Sequence, residues 1–178
     1  MKKKILALVI FVLALGAYAK AQKSAYVDTE YILKHIPDYK SAQTQIEGLS
    51  KQYQKEVDEA FKAIDAMYKS YQADQVLLTD DMRKRRENEI IDKEKKAKEL
   101  QRQKFGPEGD LFQTRNKLLK PIQEKVSTVI AEVAKSKYID FVFDKSSEST
   151  MIIYSNANYD ISNDVIIKLG LKPGTLVQ

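Results

Sequence analysis

Residues 39–75, YKSAQTQIEGLSKQYQKEVDEAFKAIDAMYKSYQADQ, decide the fold. The stretch holds no proline and a single glycine, Gly48. Its apolar residues fall at Ile46, Leu49, Tyr53, Val57, Ala60, Ile64, Met67 and Tyr71, in steps of three and four. A helix brings such residues onto one face, so the pattern predicts a long α-helix with one apolar stripe, close to a heptad repeat. Phe61 and Tyr68 widen the stripe. At a rise of 1.5 Å per residue the rod is about 55 Å long. A stripe this narrow cannot build a globular core, so the rod needs a second one beside it.

The next segment supplies it. Thr79-Asp80-Asp81 reads as a helix start, with Thr79 or Asp80 as cap and acids in the first turn. Met82 to Lys104 is highly charged with a basic excess, and only Met82, Ile90, Ile91, Ala97 and Leu100 form a seam. The first helix is more acidic than basic, which modestly favours antiparallel pairing. If the hairpin turns near residue 78, position i faces roughly position 156 − i. Phe105-Gly106-Pro107-Glu108-Gly109 then interrupts the pattern, and Gly48 falls opposite it. Gly48, Gly106, Pro107 and Gly109 either form a hinge or mark a local kink. Apolar density rises again from Leu111 to Val133, with Pro121 kinking that helix or opening a new one.

The two ends read differently. Ser24 to Asp28 is a short strand running into a turn of helix at Thr29 to His35. Ile36-Pro37-Asp38 breaks and restarts the chain, with Asp38 as cap. Tyr138 to Asp144 is rich in aromatic and β-branched residues and predicts a strand. A turn at Ser146 to Ser149 leads to a further strand, Met151 to Tyr154. Asp160 or Ser162 caps a short helix through Leu169, stopped by Gly170 with Pro173 beyond. Three short strands bury too little apolar area to stand alone, so several copies must share one sheet or barrel. The fold class is α+β and mostly α: a long antiparallel coiled-coil hairpin arm on a small β body completed by oligomerisation.

Residues 1–21 read as a secretory leader. Lys2, Lys3 and Lys4 precede the uncharged run Ile5 to Ala17, and small residues follow to Ala21. The run is shorter than the roughly 20 residues a membrane span needs. The divisions expected are 1–21 leader, 22–36 first part of the β body, 37–118 hairpin arm and 119–178 second part of the body with a terminal helix. The whole chain carries 30 basic and 25 acidic residues, net +5. Four of the lysines lie in the leader, which leaves 26 against 25 and a net charge of +1. That removes the main argument for a nucleic-acid partner. The absence of cysteine excludes disulfides, thiol nucleophiles and thiolate metal sites. His35 is the one histidine, so neither a triad nor a metal centre is expected. No enzyme activity and no cofactor are expected, and there is no phosphate-binding glycine loop.

The order Ala25-Tyr26-Val27-Asp28, Tyr31-Ile32-Leu33, charged hairpin, Pro121-Ile122, Tyr138-Ile139-Asp140-Phe141-Val142-Phe143-Asp144, Ile152-Ile153-Tyr154, Tyr159-Asp160-Ile161-Ser162 resembles the Skp/OmpH family of periplasmic chaperones. The terminal motifs are fairly specific; the hairpin is compositionally generic. The resemblance implies a homotrimer in the periplasm whose three arms enclose a cavity. It also implies ATP-independent holding of unfolded outer-membrane proteins. A structural envelope protein whose coiled coil spaces or tethers partners is the alternative.

Within that frame Tyr53, Phe61, Tyr68 and Tyr71 are the cargo-contact candidates, set against a role filling the hairpin seam. Tyr68 and Tyr71 stand nearest the tip. Arg83-Lys84-Arg85-Arg86 is a cation run suited to acidic lipid or lipopolysaccharide, or else a solvated helix face. Tyr26, Val27, Phe141, Phe143, Ile152 and Tyr154 are the expected oligomer core.

Overall fold

A computed structural model describes residues 22–147 and 152–174; the expected leader and the start of the expected Met151–Tyr154 strand lie outside these. The elements run β1 (Ser24–Val27), α1 (Thr29–Lys34), α2 (Pro37–Asp74), a 3₁₀ turn (Gln75–Leu77), α3 (Asp80–Phe105), α4 (Asp110–Ser136), β2 (Phe141–Asp144), a second 3₁₀ turn (Ala157–Tyr159) and α5 (Ser162–Lys168). The chain divides into two compact units. One holds the residues up to Ile32 with Thr128–Gly174, and the other holds Leu33–Ser127.

The second unit is the helical hairpin. α2 starts with Pro37 in its first turn, where the missing N–H is no loss. Ile36 therefore takes the cap position and Asp38 sits in the first turn, correcting the expectation that Asp38 caps the helix. α2 runs through Gly48 without interruption. Its buried residues Val57, Ile64 and Tyr71 recur every seven positions, as do Ile90 and Ala97 on α3. Ile64, Tyr71, Ile90 and Ala97 pack into one cluster, with Ala60, Phe61, Met67 and Leu78 against it. The hairpin turns through the 3₁₀ segment, and Thr79 caps α3 by accepting from Met82 N–H at 3.4 Å. Tyr71 meets Glu87 and Tyr53 meets Phe105, a register displaced slightly from the expected one by that extra turn. α4 takes Pro121 inside without breaking.

The first unit is built round β1. β1 pairs in parallel with β2, Ser24 opposite Phe141 and Val27 opposite Asp144. On its other side Tyr26 bridges to Asp160. A parallel pair requires a long crossover, and here the whole hairpin is that crossover. Ala25, Tyr26, Val27, Ile32, Val133, Ile161, Val165 and Ile166 are buried. α5 ends as expected at Gly170, whose φ of 80° lets Gly170 N–H reach Ile167 O and Leu171 N–H reach Ile166 O. α4 ends the same way, but with Tyr138 at φ 56° in the position glycine usually takes; Ile139 N–H bonds Ala134 O at 2.9 Å.

Three expectations fail here. Ile161, and neither Asp160 nor Ser162, takes the cap position of α5. Tyr138 to Asp140 belong to the helix exit, so the strand begins only at Phe141. Ile152–Tyr154 are irregular, with Ile153 92% and Tyr154 83% exposed. The physical reason is edge occupancy. β1 is engaged on both sides, so a further strand has only the outer edge of β2 to join, and no described segment of this chain does so.

Candidate functional site

Among the described residues no cluster of His, Asp and Glu is arranged to hold a metal, and no helix is long and apolar enough to cross a membrane. The surfaces that remain are a hairpin tip, a break in the hairpin, and the sheet of the first unit.

The four candidate rings separate by burial. Tyr71 is in the seam and donates its hydroxyl to Glu87, which raises the phenol pKa; burial adds to the rise. Phe61 packs against the seam cluster. Tyr53 is half-buried, edge-on to Phe105 at 6.4 Å with the Lys104 ammonium 4.4 Å above its ring. Tyr68 alone of the four is exposed. Tyr71 therefore fills the seam despite its place near the tip. The 3.5-residue spacing turns it inward, while Tyr68, three residues earlier, flanks the stripe.

The cation run is divided as well. Arg83 turns back on the hairpin, with Nε donating to Leu78 O at 3.1 Å and a guanidinium nitrogen 3.5 Å from Asp80. Lys84, Arg85 and Arg86 are exposed. Near them in sequence stand two apolar residues that reasoning from sequence passed over, Val76 and Leu77, 87% and 85% exposed, and Met82, expected in the seam, is half-exposed. The signal was in the sequence as an apolar Val-Leu-Leu run at the predicted turn.

Gly48, Gly106, Pro107 and Gly109 do not behave alike. A Cβ on Gly48 would meet nothing within 4 Å. One on Gly106 would lie 2.4 Å from Arg102 O, and one on Gly109 2.7 Å from Gln103 O. The interruption is confined to the return path, between α3 and α4.

In the first unit Tyr26 and Val27 are buried, Ile152 is half-buried, and Phe141, Phe143 and Tyr154 are exposed by 51%, 49% and 83%. A cleft of about 650 Å³ lies among Tyr26, Phe143, Ile152, Tyr154 and Tyr159. Tyr138, also missed from sequence, is 82% exposed. The ends of the strands carry a polar network. Asp28 caps α1 through Tyr31 N–H at 2.8 Å, and its own N–H donates to Ser162 Oγ at 2.9 Å. Ser162 donates N–H and Oγ–H to Asp160, and Lys145 stands between Asp28 and Asp160 at 3.6 and 3.7 Å. Asp144 accepts from Thr29 N–H and Oγ–H and from Ser146 N–H and Oγ–H. Burial pushes the Asp144 carboxyl up, and these four bonds more than offset it, so its pKa lies below the usual range.

The family model for OmpH-like outer membrane proteins matches residues 23–169. A solved OmpH-like structure from Caulobacter crescentus superposes with a TM-score of 0.63 at 15% identity, covering 84% of this chain and 85% of that one. At that identity the likeness concerns the fold. No curated protein sequence matches the chain.

Proposed function

Because the chain belongs to the OmpH-like outer membrane protein family, we propose that it is an ATP-independent periplasmic holding chaperone for unfolded outer-membrane proteins, exported by a cleaved leader over residues 1–21. Unfolded barrel proteins expose apolar side chains and unpaired strand edges, and aggregate through both. Contacts that are weak and non-directional hold such a chain without fixing its structure. Release needs no nucleotide where cargo folding into the membrane is downhill.

The observation that carries the reading is the sheet of the first unit. Phe141 and Phe143 on β2 are exposed, as are Ile153 and Tyr154, and among the described residues no strand joins the outer edge of β2. So much aromatic surface at a strand edge favours completion by neighbouring copies. Tyr138 points the same way, since a tyrosine at positive φ costs about 1 kcal/mol and its ring is 82% exposed. The assembly proposed is a homotrimer whose arms surround the cargo. Tyr68 is the first-choice cargo ring, with Tyr53 and Phe61 at the seam margin. Lys84, Arg85 and Arg86 with Val76 and Leu77 suit contact with lipopolysaccharide or acidic lipid.

The test is suppression of aggregation. The mature protein is mixed with a urea-diluted outer-membrane barrel, and turbidity is followed as the ratio rises. Suppression should saturate near one trimer per cargo chain. No effect at excess would overturn the chaperone reading and leave the envelope-spacer alternative.

A further inference from the structure

The hairpin is interrupted once, and a single ammonium bridges the interruption. We propose that Lys104 is the latch of an elbow: seated between Asp110 and Tyr53 it holds the turn at Gly106–Gly109 shut, and unseated it frees that turn to bend. The inference does not depend on the chaperone reading.

The turn is wound too tightly to be slack. Gly106 N–H bonds Arg102 O at 2.8 Å, and Gly109 N–H bonds Gly106 O at 2.9 Å. Neither glycine has room for a Cβ. Glu108 stands at φ 63°, a conformation that disfavours a side chain, with its carbonyl accepting from Gln113 Nε2 at 2.8 Å. A conformation of this kind persists only where its surroundings impose it.

Lys104 is the surrounding that does so. It lies in the last turn of α3, and its Nζ is 2.7 Å from Asp110 Oδ2 at the start of α4. The same Nζ stands 4.4 Å from the centre of the Tyr53 ring on α2, and that ring meets Phe105 edge-on. The Lys104 side chain is only 17% exposed. One charge thus joins three helices at one height. Lys55–Glu59, Lys69–Asp65 and Arg102–Glu99 instead link neighbouring turns of one helix and are exposed. Pairs of that kind contribute little. Asp110 also raises the Lys104 pKa, so the ammonium stays charged.

The full mature chain carrying Lys104→Met or Asp110→Asn is compared with the parent by amide exchange. Exchange over residues 106–112 should rise roughly tenfold in each, as for a local opening event, while Ser24–Val27 keep their rates. Lys104→Arg, which keeps the cation for both partners, should restore protection. Unchanged exchange in both single variants would overturn the latch, and so would an equal rise in β1, which would mean general loss of stability. The chain has no cysteine, so spin labels at Ala73→Cys and Lys117→Cys, diluted with unlabelled chain, give a second readout. Their distance distribution should broaden in Lys104→Met; an unchanged width would count against the elbow.

Discussion

The hairpin and the sheet-bearing unit solve the same problem with opposite resources. In the hairpin the backbone hydrogen bonds are local, within helices and turns, and the apolar contact is a seam with a buried residue every second turn. In the other unit the strand hydrogen bonds join residues more than a hundred positions apart, and the burial is concentrated in Ile32, Val165 and Ile166, which are fully enclosed. The first is extended and nearly all surface. The second is dense on one side and aromatic on its outside. The difference teaches where each unit is vulnerable. The hairpin is sensitive to the backbone, and the sheet is sensitive to side chains and, in the proposed assembly, to neighbours.

The largest effect should come from charging the exposed sheet. Phe143→Asp places a carboxylate where the proposed neighbour packs. Light scattering should fall to the mass of a single chain while helix content by circular dichroism is kept. An intact oligomer would remove the contrast between a self-sufficient hairpin and a dependent sheet. Next comes burial. Ile166→Ala should lower stability by roughly 2–5 kcal/mol, and Ile90→Ala in the seam should sit at the low end of that range because solvent borders the gap it leaves. Urea midpoints of the two variants compare them directly.

Backbone substitutions sharpen the contrast within the hairpin by reversing sign. Gly106→Ala forces a Cβ onto Arg102 O and should destabilise by about 1–3 kcal/mol. Gly48→Ala meets open space on a continuous helix and should stabilise by about 0.5–1 kcal/mol. Thermal melts of both would settle the sign. If Gly48→Ala destabilises, α2 needs that glycine for something other than helix geometry.

The smallest effect is acid sensitivity of the sheet unit. The Asp144 pKa is depressed in the folded chain. Its contribution is therefore complete above the unfolded carboxylate value of about 3.9 and is lost as pH falls through the lower folded value. The urea midpoint of the parent should drop more steeply below about pH 4 than that of Asp144→Asn. Parallel curves would show that the Thr29 and Ser146 bonds do not depend on the charge.

The hairpin was legible in sequence because its determinants are near one another. The steps from Ile46 to Tyr71, the Thr79 cap and the stop at Gly106 are read within one or two turns. Gly170 was legible for the same reason. The sheet was readable only as strand-forming stretches. Whether Ile152–Tyr154 pairs depends on a free edge elsewhere, and no local pattern records that β1 is already engaged by β2 and Asp160. Tyr71 and Tyr68 differ by three positions and by one face, and the stripe alone did not separate them. The Lys104 contacts were not foreseen either, since a lysine in a run of charges has no periodic signature.

The parallel pairing of β1 with β2 also fixes an order of events. Lys23 and Asp140, which join the two strands by a 2.9 Å hydrogen bond, are 117 residues apart in sequence. A chain emerging amino end first can wind its hairpin as it appears, because helical contacts form locally and fast. Its leading strand must wait for the trailing one. The exposed apolar surface of the sheet is thus assembled last, after the long rods are already formed, and a prematurely ended chain would carry finished rods with nothing to close them.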